Sequence, residues 1–148
     1  MNRFLRDAMA ALLIVLPAAA AVAADIAVHR DPGCGCCEKW AAQLREQFHR
    51  PVVTIDEKKR ADFRRAHGVP AALASCHTAL IDGMVFEGHV PVDDIKRVLA
   101  ARPKGVIGLA VKGMPMGSPG MEVPGGMSQA YDVIAFGPAG QRVYAHHG

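Results

Sequence analysis

Apolar and polar residues alternate along Asp25-Ile26-Ala27-Val28-His29-Arg30, the two-residue period of a strand, and Asp31-Pro32-Gly33 stops it. From Glu38 the period changes. Trp40, Ala41, Leu44 and Phe48 recur at helical spacing, with Glu38, Lys39, Arg45 and Glu46 on the other face. Residues 52–56 predict a second strand, and residues 58–66 a short helix with Phe63 inward, closed by His67-Gly68. Residues 69–74 read as a connector with room for a helical turn. Residues 77–82 and 84–88 predict two strands around a tight Asp82-Gly83 turn. Pro91, then residues 92–99 with Asp93 and Asp94 in the first turn and Arg102-Pro103 at the end, predict an amphipathic helix. Residues 113–127 are too rich in Gly and Pro for either element, and residues 131–136 and 142–144 predict a closing hairpin. The order strand, helix, strand, helix, hairpin, helix predicts an α/β domain, a small mixed sheet with helices on both faces, extended by that loop and hairpin.

Ahead of this pattern stands a segment of another kind. Asn2-Arg3-Phe4-Leu5-Arg6 is basic, residues 8–22 form an almost unbroken apolar run, and Ala21-Val22-Ala23-Ala24 is a small-residue exit. The run contains Pro17 and is short against the ~20 residues of a membrane span. It reads as a secretory signal over residues 1–24, cleaved to leave residues 25–148 as one domain outside the cytoplasm, with no membrane attachment. With 51% apolar and 21% charged residues the chain of 148 folds around a core, and a net charge of +3 is too small to argue for nucleic acid. The run Lys58-Lys59-Arg60 with Arg64-Arg65 reads as the solvated face of a helix.

Chemistry concentrates in the cysteines. Cys34, Cys36 and Cys37 fall within four residues, and Cys76 lies alone far downstream. Structural disulfides fit this spacing poorly, because a bridge between the neighbours Cys36 and Cys37 is strained and closes no useful loop. The triplet sits at the amino end of the first predicted helix, where unpaired N–H groups and the helix dipole favour thiolate over thiol. Reactive sulfur is the expectation.

Cys34-Gly35-Cys36-Cys37, a Cys-x-x-Cys after the first strand and at a helix start, is similar to the thioredoxin group. In that group a cis-proline opens the hairpin beside the cysteines. The corresponding step here is Cys76-His77-Thr78, without proline, and the alignment implies that Cys76 faces the triplet. A closer resemblance covers nearly all of residues 25–148. The segments are Cys34-Gly35-Cys36-Cys37 with Trp40, Gly68-Val69-Pro70, Ser75-Cys76-His77-Thr78-Ala79, Glu87-Gly88-His89-Val90-Pro91 with Ile95, Gly108-Leu109-Ala110-Val111, Gly113-Met114-Pro115, residues 117–122 and Tyr131-Asp132-Val133. In this order they resemble the exported copper-resistance proteins of the CopG type. The resemblance implies a thioredoxin-like fold, a periplasmic location and a role in copper resistance or copper redox handling. It also implies copper held by Cys34, Cys36, Cys37 and Cys76, with several Cu(I) ions bridged by sulfur, and other periplasmic copper-handling proteins as partners.

The residue types agree with that implication. Thiolates and thioethers select Cu(I), and four thiolates on one Zn²⁺ leave a negative charge that is costly to bury, whereas four thiolates with four Cu(I) are neutral. Zinc is the bland alternative. His77, next to Cys76, and His89, past the hairpin, are candidates for ligands or for donors to sulfur, and against each stands an ordinary strand-end histidine. Met114, Met116 and Met121 suit a lid over the centre, Met127 suits packing, and the His146-His147 tail reads as a frayed end. A second class of function stays open at this point: a thiol-disulfide oxidoreductase in which Cys34 attacks and Cys37 resolves.

Overall fold

The computed structural model describes residues 25–148. The signal segment, residues 1–24, lies outside the described residues. Seven strands and three helices follow in chain order: β1 (Ile26–Arg30), α1 (Gly35–Phe48), β2 (Val52–Asp56), α2 (Arg60–Ala66), a 3-10 turn (Ala71–Leu73), β3 (His77–Ile81), β4 (Met84–Glu87), α3 (Val92–Ala101), β5 (Gly108–Ala110), β6 (Tyr131–Gly137) and β7 (Gly140–His147). All the strands join one mixed sheet in the order β2-β1-β3-β4-β5-β6-β7. β1 runs parallel to β2 and antiparallel to β3, and β4 runs parallel to β5.

The α/β class stands, but the sheet is larger than the small one expected. The closing hairpin does not stand apart: β5 pairs with both β4 and β6 and so joins the hairpin to the first four strands. Sequence reading passes over β5 because it is three residues long and begins with Gly108. A Cβ at Gly108 would collide with the Val85 carbonyl and with the ring of Phe136, its partner on β6, so glycine is what lets β4, β5 and β6 approach here. The Asp82-Gly83 turn is as expected, with positive φ at both residues, the geometry of the favoured two-residue hairpin connection.

Side chains that alternate along the strands sort the core into two sides. Ile26, Val28, Ala79, Ile81, Phe86, Leu109, Val133 and Ala135 pack with Trp40, Ala41 and Leu44 of α1 and Val92, Ile95 and Val98 of α3. Val85, Ala110 and Phe136 point the other way, towards Val69 and Leu73 beside the 3-10 turn. Both faces are therefore covered. The first face carries α1, whose amino end brings in the cysteines.

The basic run corrects a second expectation. Arg60 is not on a solvated face: it is buried, 3.0 Å from the Thr78 hydroxyl and 3.5 Å from Glu87. The His146-His147 tail is not frayed either. It is the end of β7, with His147 Nε2 2.7 Å from the buried Asp94 and His146 Nδ1 2.6 Å from Asp132.

Candidate metal centre

Helix α1 begins at the cysteines because Cys34 caps it, its sulfur accepting the Cys37 N–H at 3.3 Å. Cys37, Trp40, Ala41 and Leu44 then face inward at helical spacing, so packing fixes the helix and with it the orientation of the triplet. Cys76 arrives from the opposite direction, on the residue before β3. The Asp31 N–H donates to its carbonyl at 2.9 Å, tying it to the turn that precedes the triplet.

The four sulfurs lie within 4.8 Å of one another. Cys34 and Cys37 are joined as a disulfide, with their Cα atoms 5.4 Å apart across one helical turn. Cys36 Sγ is 3.4 Å from Cys34 Sγ, and Cys76 Sγ is 3.4 Å from Cys37 Sγ. Cys36 and Cys76 are free thiols. Burial, then the charge of Cys36, pushes the Cys76 thiol up to about 12.

Two imidazoles close the other side of Cys76. Its sulfur is 3.2 Å from His89 Nε2 and 3.4 Å from His77 Nδ1, and these three ligand atoms also lie within 4.8 Å of one another. His89 Nδ1 is 2.8 Å from the Pro119 carbonyl. A carbonyl only accepts, so Nδ1 carries the proton and Nε2 presents a bare lone pair to the sulfur. His77 lies between Trp40, at 4.4 Å between ring centroids, and His89, at 5.0 Å; its Nε2 is buried with no hydrogen-bond partner. Burial lowers the pKa of both histidines, that of His77 furthest, so both are neutral at neutral pH and have lone pairs to offer. Trp40 donates its indole N–H to Val90 O at 2.9 Å, which holds the α1 face against the His89 segment.

The irregular stretch between β5 and β6 crosses this centre. From it the Pro119 carbonyl meets His89, the Gly113 carbonyl accepts from the Ser75 hydroxyl at 2.5 Å, and a Cβ at Gly120 would stand 2.7 Å from Cys36 O. Glu122 pins it to α1 by accepting from Gln43 at 2.8 Å. Met116 and Met121 are half-buried and Met114 is 54% exposed. Met127, expected to pack, is 63% exposed instead.

Comparison with known proteins follows the same line. No curated protein matches the chain. Residues 73–121, which include Cys76, His77, His89 and most of the loop, match a family described as a protein of unknown function, DUF411. A solved structure of copper resistance protein CopG, form 1, is 38% identical, with a TM-score of 0.76 over 85% of this chain and 98% of that one. Form 2 is 39% identical, with a TM-score of 0.74 over 84% of this chain and 98% of that one. The chain belongs to the CopG copper-resistance family.

Within this CopG-family chain the structure brings Cys34, Cys36, Cys37, Cys76, His77 and His89 together. It adds three residues that sequence reading missed. Glu87 is fully buried; its Oε1 accepts the Ser75 N–H at 2.7 Å and its Oε2 accepts the Thr78 hydroxyl. Arg60 and Arg64 lie 3.5 and 3.7 Å from the same carboxylate. Burial raises the Glu87 carboxyl, against the pull of the Thr78 and Ser75 hydrogen bonds and of the two guanidinium groups. Glu87 stood in view within the motif Glu87-Gly88-His89, but nothing in a sequence marks a carboxylate as buried. Among the described residues no helix is long and apolar enough to cross a membrane.

Proposed function

We propose that this chain is an exported copper-binding protein of copper resistance, holding Cu(I) between the sulfurs of Cys34, Cys36, Cys37 and Cys76. The observation that carries the reading is the convergence of these four sulfurs from two separate segments. The donor set suits the metal, since soft thiolates favour Cu(I), and charge balance favours several Cu(I) ions sharing the sulfurs over a single Zn²⁺. His77 and His89 serve as further ligands or as hydrogen-bond partners of sulfur, and Met114, Met116 and Met121 supply thioethers from the loop. The domain, residues 25–148, is thioredoxin-like in its first four strands. The order β2-β1-β3-β4, with β1 parallel to β2, supports that reading, and β5 to β7 are additions. Residues 1–24 direct the chain to the periplasm, where it meets other copper-handling proteins.

The disulfide gives the redox part of the reading its chemistry. Four thiolates require the Cys34–Cys37 bond to be reduced. Conversely, forming the bond from two thiols releases two electrons and two protons, enough to turn two Cu(II) into two Cu(I). Copper cycling between oxidation states thus pairs with opening and closing of this disulfide. The disulfide also supports a second reading, a thiol-disulfide oxidoreductase using Cys34 and Cys37. That reading leaves Cys36, Cys76 and the two histidines without a task.

The test is metal content per chain after reduction and anaerobic exposure to equal amounts of Cu(I) and Zn²⁺. Several coppers per chain, bound in preference to zinc, are expected. One zinc and no copper overturns the reading, and metal-free protein that reduces insulin disulfides establishes the alternative.

A further inference from the structure

We propose that Glu87 is a positioning residue of the metal centre, holding the peptide of Cys76 from the opposite face of the sheet. The inference rests on the copper reading above and adds to it the means by which one wall of the centre stays in place.

The geometry is a clamp on both sides of one dipeptide. Cys76 and His77 lie between Ser75 and Thr78, and a single carboxylate takes the Ser75 N–H at 2.7 Å on one oxygen and the Thr78 hydroxyl on the other. Arg64 holds the other backbone group of the same residue, donating to Ser75 O, the carbonyl of the Ser75–Cys76 peptide, at 3.1 Å. Arg60 donates to Thr78 Oγ1 at 3.0 Å. Its Nε lies 3.4 Å from the carboxylate of Asp31, whose own N–H donates to Cys76 O at 2.9 Å. Thr78 and Glu87 sit directly opposite each other in the β3–β4 register, so the strand pairing itself aims the carboxylate at this step.

The arrangement stands on the far side from α1. Alternation along β3 sends His77 towards Trp40 and Thr78 the other way, to Arg60. The clamp therefore grips the Ser75 backbone and the Thr78 hydroxyl and leaves the sulfur and imidazoles of Cys76, His77 and His89 free for metal. In thioredoxins a cis-proline shapes the step at this place. Here the step Cys76-His77-Thr78 has no proline, there is no cis peptide among the described residues, and hydrogen bonds accepted by a buried carboxylate set the backbone instead.

An ion pair that only secures the fold has the same appearance, so the test must separate acceptor from charge. Two double variants do so: Arg60→Met with Glu87→Leu, and Arg60→Met with Glu87→Gln. Both remove the Arg60–Glu87 charge pair and keep Arg64, and only the second keeps an acceptor for the Ser75 N–H. Cu(I) affinity is measured on the reduced mature chain with bicinchoninate as competitor. Replacing groups that hold metal ligands costs roughly 10–100-fold in affinity, and a loss in that range is expected for the Leu variant, with the Gln variant close to wild type. Equal affinities in the two variants overturn the inference. Thr78→Val against Thr78→Ser is the gentler companion: a several-fold loss is expected for Val alone, and equal affinities again overturn it. Wild-type protein that binds no Cu(I) sinks the copper reading instead.

Discussion

Cys76 is the residue on which the centre turns. It is the one of the four cysteines that does not come from the amino end of α1, and it touches both the disulfide and the two imidazoles. Replacing it with Ser exchanges a soft ligand for a hard, weak one. Cys76→Ser is therefore expected to lower copper stoichiometry as much as Cys36→Ser does, as measured by metal analysis of anaerobically loaded protein. Copper binding left intact in Cys76→Ser contradicts the convergence as a functional fact. The same thiol has a consequence without metal. Its pKa rises from 9.0 to about 12 on burial, so the folded state holds the proton more tightly than the unfolded state. That contribution to stability is present below about pH 9 and is lost as pH rises towards 12. Tyr131, raised from 10.0 to about 12 by burial and Asp94, acts in the same direction. Urea denaturation of the metal-free protein is expected to show stability falling over this window, and falling less in Cys76→Ser. An unchanged slope in the variant assigns the whole effect to other groups.

At the scale of elements, the cysteine helix and the loop over it are one unit. Gly120 has φ of +85°, and a Cβ there would stand 2.7 Å from Cys36 O and 3.0 Å from Trp40 N. Gly120→Ala therefore meets backbone that cannot yield and a conformation that L residues avoid. A loss of about 1–3 kcal/mol is expected in urea denaturation. Stability equal to wild type would show that the loop does not rest on α1. The elements also show what a sequence can tell. The periodicity of Trp40, Ala41 and Leu44 made α1 legible, and with it the place of the triplet; Asp82-Gly83 made the hairpin legible. Strand β5 was not, because three residues beginning with glycine carry no period. Arg60 departs from expectation because a basic run looks solvated until a buried carboxylate from another strand stands beside it. The end of β7 departs from it for the same kind of reason: His147 is held by Asp94 of α3, a partner remote in sequence.

Over the whole molecule, one core joins the first four strands to the added hairpin. Val133 and Ala135 of β6 pack in the same cluster as Ile26, Trp40 and Phe86. The candidate metal centre sits at the edge of that cluster, under a loop whose two ends are strands of the same sheet. Its three walls are α1, the Ser75–His77 step and the loop, and each is fixed by packing or hydrogen bonds made elsewhere in the domain. The family likeness names copper resistance, but the claim that the four cysteines jointly hold the metal is a statement about coordination. X-ray absorption at the copper edge of the reduced, Cu(I)-loaded chain tests it most directly. The account predicts a first coordination shell dominated by sulfur, with copper-copper scattering behind it. A shell of nitrogen and oxygen alone would contradict it.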